Sequence, residues 1–399
     1  MKTVPSGWQR AILGEVCETF SGGTPSRRLP GMFGGGIPWI KSGELNAGAI
    51  WVTNETLTKE GLNNSAARIV EPGTNLIALY GATAGVVGRS MVRAAINQAV
   101  LAVVPRDGCL LPEYLEFLLQ RTGADVSRLV QGAQPNLNAG LVQAQPLALP
   151  PLAEQLKISA ILQLWSDAIN KTERLIRLHS EARLGLLGLL LSGKARPKKF
   201  QGQAWRAVHI GALLEERARY VDWSDEEQYR FASIRRRSGG LFDRGTFYGR
   251  DVKTKVLKLL QAGDFVISKR QVVHGAWAMV TREFSGFGVS DEYDVLVNRD
   301  PKILDMKFFN YLSQTRRLWH MAYLASNGVH IEKLIFDFHD FAKEKIRIPP
   351  TIEEQQMIVD VLATCDREIE LLERQLATLK EQKRGLMQKL LTGEVRVKV

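Results

Sequence analysis

A chain of 399 residues is long enough for two or more domains. Its hydrophobic content of 45% is that of a globular protein, and no apolar run approaches the roughly 18 residues that a membrane-spanning helix needs. The formal net charge of +11 lies mostly in residues 150–348, which favours a polyanionic partner such as nucleic acid, although charge of this size also serves solubility.

The N-terminus and the cysteines bear on the cellular compartment. The opening residues lack the apolar core of a signal peptide. Cys17, Cys109 and Cys365 lie far apart and form no zinc or disulfide pattern, which fits a reducing environment. We therefore expect a cytoplasmic protein that makes no membrane contact.

Residues 1–149 are the first of four predicted segments. A glycine-rich loop at 21–36, several short β-type runs and a helix at 111–120 predict a compact α/β or α+β domain with a mostly β core. The β-type runs are at 76–81, 86–92 and 99–105. Within the loop, GGTPSRR at 22–28 predicts either a phosphate cradle of backbone N–H groups or a plain turn.

Residues 150–199 predict one long helix. Pro150 and Pro151 precede it, and Gly193 follows as a C-cap. A helix from 154 to 191 would be about 57 Å long, which is too long and narrow for a domain core of its own.

Residues 200–348 repeat the layout of the first segment with different content. They contain strand, loop and strand at 263–284, a strand at 289–298 and a helix at 304–314. A basic stretch at 233–255, interleaved with aromatic side chains, has the composition of a nucleic-acid contact surface. A solvated basic loop is the alternative.

Residues 349–399 repeat the long helix. The register between 154–196 and 354–396 holds over 43 positions without a gap, and fourteen of these are identical. The openings of the two larger segments also match, since Trp8 corresponds to Trp205 and Gly14 to Gly211. The chain is therefore a tandem duplication of block and helix.

Apolar residues in both helices alternate at spacings of four and three, which is typical of a coiled-coil seam. In the second copy these are Ile358, Leu362, Cys365, Ile369, Leu372, Leu376, Leu379, Leu386 and Leu390. In the first copy they are Ile158, Leu162, Trp165, Ile169, Thr172, Ile176, Leu186 and Leu190. We expect the helices to pair with each other, the alternative being two amphipathic helices in ordinary globular cores.

One seam position is basic in both copies, as Arg183 and Lys383. A polar seam residue can fix register and orientation. Alternatively, the aliphatic stems of these side chains pass along the interface and carry their charges to water.

Sequence motifs for catalysis or metal binding do not emerge. GLLLSGKA at 188–195 approaches a phosphate-binding loop, but Ala195 replaces the hydroxyl residue and the motif ends a helix instead of opening one. The histidines lack ligand spacing, and there is no nucleophile or adenine-methyltransferase motif. We expect no catalytic residue and no metal ligand on this chain.

The order and doubling of several motifs resemble a known family. Each helix repeats one pattern, PPLAEQ…LLLSGKAR in the first and PPTIEEQ…LLTGEVR in the second. The first block contains GGTPSR…GGGIPWIKSGEL, and the second contains GDFVISKRQ and VSDEYDVL but lacks the GTP and IPW signatures. Over essentially its whole length the chain resembles the specificity subunit (HsdS) of Type I restriction–modification systems.

The resemblance implies an α+β protein in which two α/β target recognition domains (1–149 and 200–348) are separated by two long α-helices (150–199 and 349–399). The helices would form an antiparallel coiled coil with an internal pseudo-twofold repeat. Each domain would read one half of a bipartite double-stranded DNA site. The helices would set the spacing and dock two methyltransferase subunits.

The resemblance also places the chemistry on partner subunits. The methyltransferase subunits would use S-adenosylmethionine to methylate adenine N6, and motor–nuclease restriction subunits would use ATP and Mg²⁺, so this chain would hold no cofactor. A non-enzymatic coiled-coil scaffold with incidental basic charge is the rival. A self-contained modifying enzyme is disfavoured by the missing methyltransferase motifs.

We predict which side chains face DNA from their ability to match base edges or phosphates. From the first domain they are Arg27, Arg28, Lys41, Tyr80, Gln134, Asn136 and Asn138. From the second they are Arg235, Arg236, Arg237, Arg244, Tyr248, Lys269, Arg270 and Gln271.

Overall fold

A computed structural model describes residues 4–106, 108–129 and 137–398. These divide into two compact units, one of Met1–Arg174 with Arg374–Val399 and the other of Leu175–Glu373. Each unit therefore contains one of the two blocks together with a part of each long helix.

The two long helices form as the repeat predicts. They span Leu152–Leu191 and Ile352–Leu390. Gly193 and Gly393 follow them with the same φ of 72°, a left-handed conformation that glycine adopts without steric cost. The predicted C-caps are confirmed: Gly193 N donates to the carbonyl of Leu190, and Gly393 N donates to that of Leu390.

Within each unit the two helix segments run antiparallel. In the first unit Lys380 Nζ lies 2.7 Å from Glu173. In the same unit Arg396 pairs with Glu154. In the second unit His179 Nδ1 lies 3.4 Å from Glu368 and Arg183 pairs with Asp366, so in each unit residue numbers rise along one helix as those of their partners fall. All predicted seam residues are buried or half-buried. The antiparallel coiled coil is therefore confirmed.

The basic seam residues contact the domains as well as the opposite helix. Arg183 forms an ion pair with Asp366 and donates to Gln314 Oε1 at 2.9 Å, while Tyr311 donates to the same aspartate at 2.7 Å. In the second unit Arg183 therefore joins the residues that follow one domain helix to the helix pair.

The equivalent residue in the first unit is Lys383. Its Nζ donates to Gln120 Oε1 at 3.4 Å and lies 5.4 Å from the centre of the Phe117 ring. Burial lowers the pKa of Lys383. Neither of the two roles expected for this position included such a contact with a domain.

Two equivalent contacts explain several identities in the repeat. In each, a glutamate at the start of one long helix accepts hydrogen bonds from an arginine beyond the end of the other and from a tryptophan of the block, and we call these contacts the latches. In the second unit, Glu354 accepts two hydrogen bonds from Arg196, at 2.7 and 2.8 Å, and one from Trp205 Nε1 at 3.1 Å. In the first unit, Glu154 accepts from Arg396 and, at 3.2 Å, from Trp8 Nε1. The matching openings of the blocks and the matching helix ends therefore belong to one contact.

The block of the first unit is a mixed, mostly β domain. Its five-stranded sheet has the order Cys17–Ser21, Val100–Pro105, Asn75–Ala78, Val87–Ser90, Ala49–Ile50, and its four-stranded sheet the order Glu55–Leu57, Phe33–Ile40, Ala94–Ile96, Arg68–Val70. Gln9–Ile12 pairs with Pro146–Leu149, and the helices are Leu13–Val16, Lys59–Asn63, Pro112–Leu129 and Ala139–Gln143. The glycine-rich loop is shorter than predicted, because Gly34–Gly36 belong to a strand that is bulged between Phe33 and Ile37.

The block of the second unit follows the same plan. One four-stranded sheet has the order Leu214–Glu216, Tyr293–Asn298, Phe265–Ser268, Trp277–Met279, and the other the order Leu241–Tyr248, Gln228–Ile234, Gly288–Val289, Lys258–Leu259. Arg206–His209 pairs with Lys345–Ile348, Ser326–Asn327 pairs with Ile335–Phe336, and the helices are Ile210–Leu213, Met306–Leu312, Arg316–Leu324 and Phe338–Lys343. Within the described ranges, no helix has the length and apolarity needed to span a bilayer.

Candidate nucleic-acid interface

Several loops of the first unit meet where its strands end. Backbone hydrogen bonds join them, from Gly22 N to Asn97 O (3.2 Å), Asn97 N to Ile40 O (3.1 Å), Leu79 N to Ala99 O (2.8 Å) and Leu137 N to Leu79 O (2.7 Å). We call this region the first edge and define it as residues 22–28, 41, 55, 80, 97–99 and 137–138. It brings together the described residues that were predicted to face DNA from this domain.

The first edge contains a charged cluster centred on Glu55. Arg27 donates to both carboxylate oxygens at 3.0 Å, and Lys41 Nζ donates to Oε2 at 2.5 Å. The Arg27 guanidinium lies 4.7 Å from the centre of the Phe33 ring, and Lys41 lies 5.7 Å from that of Trp39. Hydrogen bonds from Lys41 and then Arg27 hold the pKa of Glu55 below its usual range, so the cluster carries a net charge of +1.

The other predicted residues of the first edge differ in their surroundings. Arg28 is exposed and forms no ion pair with any described residue, and Tyr80 is 39% exposed. Asn138 caps the helix Ala139–Gln143 by accepting from Leu141 N at 2.9 Å. Gln134 and Asn136 lie outside the described residues.

The glycine pair of the first edge packs against the sheet. Gly22 N and Gly23 N donate to the carbonyls of Asn97 and Ile96, at 3.2 and 3.1 Å. A Cβ on Gly22 would lie 1.8 Å from the Ile96 oxygen, so only glycine fits there. The N–H groups of Gly22 and Gly23 are therefore occupied and not available to a phosphate.

In the second unit the basic stretch forms a β-hairpin, not an open loop. Gln228–Ile234 pairs with Leu241–Tyr248, and the chain reverses through Arg237 and Ser238, whose φ angles are 58° and 54°. Two consecutive left-handed residues make a type I′ turn, which matches the twist of a hairpin but normally carries Asn-Gly. Arg-Ser in this place costs roughly 1–3 kcal/mol per residue.

The hairpin turn is held against a second loop. Arg236 Nε donates to Gln271 Oε1 at 2.8 Å, Arg237 N to His274 O at 2.7 Å and Ser238 N to Gly275 O at 2.7 Å. Lys269 N donates to Glu292 O at 2.9 Å, which joins a third segment. We call residues 235–240, 268–275 and 292–294 the second edge. It unites most of the residues that were predicted to face DNA from this domain.

Two cations of the second edge have acidic partners. Lys269 Nζ lies 3.2 Å from Asp294, and Arg270 Nε lies 2.5 Å from Glu292. Burial raises the pKa of Asp294 to about 6.

Other predicted cations have no ion pair with any described residue. The Arg235 guanidinium lies 4.8 Å from the centre of the Phe242 ring. Arg237 is exposed in the turn, and Arg244 is exposed at the bulge of the hairpin. Tyr248 stands at the far end of the hairpin under Arg250, so it does not join the second edge.

Sequence reasoning missed the acidic members of both edges and an exposed apolar pair. Trp51 and Val52, 62% and 83% exposed, lie on the loop that leads into Glu55. The described residues contain no cluster of histidine, cysteine, aspartate and glutamate able to hold a metal.

Comparison with known proteins identifies the family. The family described as "Type I restriction modification DNA specificity domain" matches residues 5–179 and 222–381. The chain belongs to this family. Its two matched ranges each include one edge.

Relatives that are named as specificity subunits agree with this assignment. The Type I restriction enzyme MjaVIII specificity subunit of Methanocaldococcus jannaschii is 20% identical over 99% of this chain and 94% of its own length. The MjaIX specificity subunit of the same organism is 26% identical, over 43% of this chain and 40% of its own length.

The fold is shared with solved members of such systems. The S subunit of a Type I restriction–modification system from M. genitalium matches with a TM-score of 0.58 and 12% identity, over 98% of this chain and 97% of that one. A chain from a study of complex assembly and conformational transition in a type I system matches with a TM-score of 0.59 and 17% identity, over 99% of this chain and 100% of that one.

Proposed function

We propose that this chain recognises a bipartite double-stranded DNA site, with the first edge reading one half and the second edge reading the other. The observation that carries the proposal is that one duplicated frame presents two unlike edges, each containing several arginine and lysine side chains and one tyrosine. Base edges are read by such side chains, and phosphates are held by the remaining cations. The modules would be 1–149 and 200–348, joined by the helical segments 150–199 and 349–399.

The long helices would set the distance between the half-sites and dock two methyltransferase subunits. A helix of 40 residues is about 60 Å long, which exceeds one DNA turn of 34–36 Å. The chain itself would carry no catalytic group. The docked subunits would methylate adenine N6, and restriction subunits would join them.

Methylome sequencing of cells that carry the complete system tests this function. A methylated adenine in each half of an interrupted motif is the expected result. A continuous motif, or methylation unchanged when this chain is deleted, would contradict the proposal. A pull-down with the tagged chain separates this function from that of a scaffold. It should recover the methyltransferase subunits, and the recovered complex should bind unmethylated DNA that contains the motif.

A further inference from the structure

Glu55 is an acidic side chain at the centre of a surface proposed to meet DNA. Its carboxylate repels phosphates, so its presence there weakens binding that depends on charge alone. Its position is nevertheless well defined, because it begins the strand Glu55–Leu57 opposite Trp39 and is 31% exposed.

The hydrogen bonds of Glu55 leave it one acceptor site. A carboxylate offers about four lone-pair positions, two on each oxygen. Oε2 accepts from Arg27 and Lys41 and is saturated, whereas Oε1 accepts from Arg27 alone. One acceptor position on Oε1 is therefore available to a further donor.

The same contacts hold the two cations in place. Nη2 of Arg27 donates to both carboxylate oxygens, and its guanidinium lies over the Phe33 ring. Lys41 Nζ donates to one oxygen and lies near the Trp39 indole. Side chains that are fixed in this way lose little freedom on binding, which suits them to base edges, whereas freely rotating cations suit phosphates.

We propose that Glu55 is a specificity-determining residue of the first edge, and this rests on the proposed function. Its Oε1 accepts a hydrogen bond from an exocyclic amino group in the major groove, N4 of cytosine or N6 of adenine. At the same time it directs Arg27 and Lys41 to base edges by competing with phosphates for them. Glu55 thus lowers the affinity for DNA of any sequence and increases the discrimination between base pairs at one position.

The test compares Glu55→Gln with Glu71→Gln in the complete methyltransferase complex. Glu71 pairs with Arg93 at 3.1 Å and is also exposed. Arg93 precedes the strand Ala94–Ile96, and the first edge begins at the opposite end of this strand, at Asn97. The control therefore makes the same charge change away from the proposed contact.

Affinity is measured for the motif found by methylome sequencing and for each single base-pair change in it, at several salt concentrations. For E55Q we expect one position of one half-site, with cytosine or adenine on the contacted strand, to lose about 10- to 100-fold discrimination. The identity of that base distinguishes N4 from N6. The salt dependence should steepen as Arg27 and Lys41 turn to phosphates. E71Q should leave every preference unchanged.

Two results would overturn the role of Glu55. One is an E55Q complex with unaltered preference at every position. The other is an equal loss of discrimination at all positions of the half-site, as misfolding of the domain would give. In that case the melting temperature falls while discrimination at the opposite half-site is unchanged. A wild-type complex that binds no bipartite DNA would instead refute the proposed function.

Discussion

Individual cations at the two edges fall into two physical classes. Arg27, Lys41, Lys269 and Arg270 have carboxylate partners, whereas Arg28, Arg235, Arg237 and Arg244 have none among the described residues. An unpaired cation that meets a phosphate releases a counterion, and each such contact adds about 0.9 to the slope of log affinity against log salt.

We therefore predict a uniform loss of affinity when Arg235 and Arg237 are both replaced by alanine. Binding should weaken by a similar factor for all DNA sequences, and the salt slope should fall by about 1 to 2. Titrations of the assembled complex from low to moderate salt measure this. Arg93→Ala serves as the control, since Arg93 is already paired with Glu71. An unchanged slope in the double variant would remove these arginines from the interface.

The buried carboxyl of Asp294 predicts a pH dependence of stability. Its folded pKa of about 6 lies above the unfolded value of 3.8, because burial disfavours its charge. Its stabilising contribution is thus complete below pH about 4 and is lost as the pH rises through about 6, up to roughly 3 kcal/mol. Lys269, Glu216 and Lys258 share its surroundings.

Asp294→Asn should remove this dependence. The melting temperature of the wild type should fall relative to that of the variant between pH 4 and pH 7, and the difference should level off above pH 7. If the difference in melting temperature between wild type and variant is the same at every pH in that range, Asp294 is ionised throughout it in the folded protein.

The elements of this fold were predictable where a periodic pattern extends over many residues. The long helices, their glycine caps and their antiparallel seam follow from the repeat, and the main strands follow from short β-type runs. The hairpin was not predictable, because Arg237-Ser238 lacks the Asn-Gly signature of its turn. The site was predicted only in part, since Glu55 lies 28 residues from Arg27 and no local pattern links them.

The equivalent latches predict unequal effects of equivalent substitutions. The Glu354 side chain is fully buried and Arg196 is 13% exposed, so Glu354→Gln leaves a buried guanidinium without its counter-charge. Such a loss costs about 3–5 kcal/mol. Arg396 is 41% exposed, and water can compensate it when Glu154 is changed to glutamine.

Thermal unfolding of both variants measures the difference. E354Q should lower the melting temperature more than E154Q, and raising the salt concentration should leave that order unchanged, because the buried pair is poorly screened. Equal losses would show that exposure does not govern the strength of the two latches.

At the scale of the whole molecule, the spacing hypothesis predicts how helix length controls the DNA target. Inserting one heptad into each helix, after Arg174 and after Glu373, leaves the contacts within each unit intact, because the unit boundaries fall there. Seven residues add about 10.5 Å, and at 10–10.5 base pairs per 34–36 Å this corresponds to about three base pairs. The methylated motif should keep both half-sites and gain about three base pairs between them. Inserting the heptad into one helix only should abolish methylation, since helices of unequal length cannot satisfy both latches. A motif with its original gap after the double insertion would show that the helices do not set the distance.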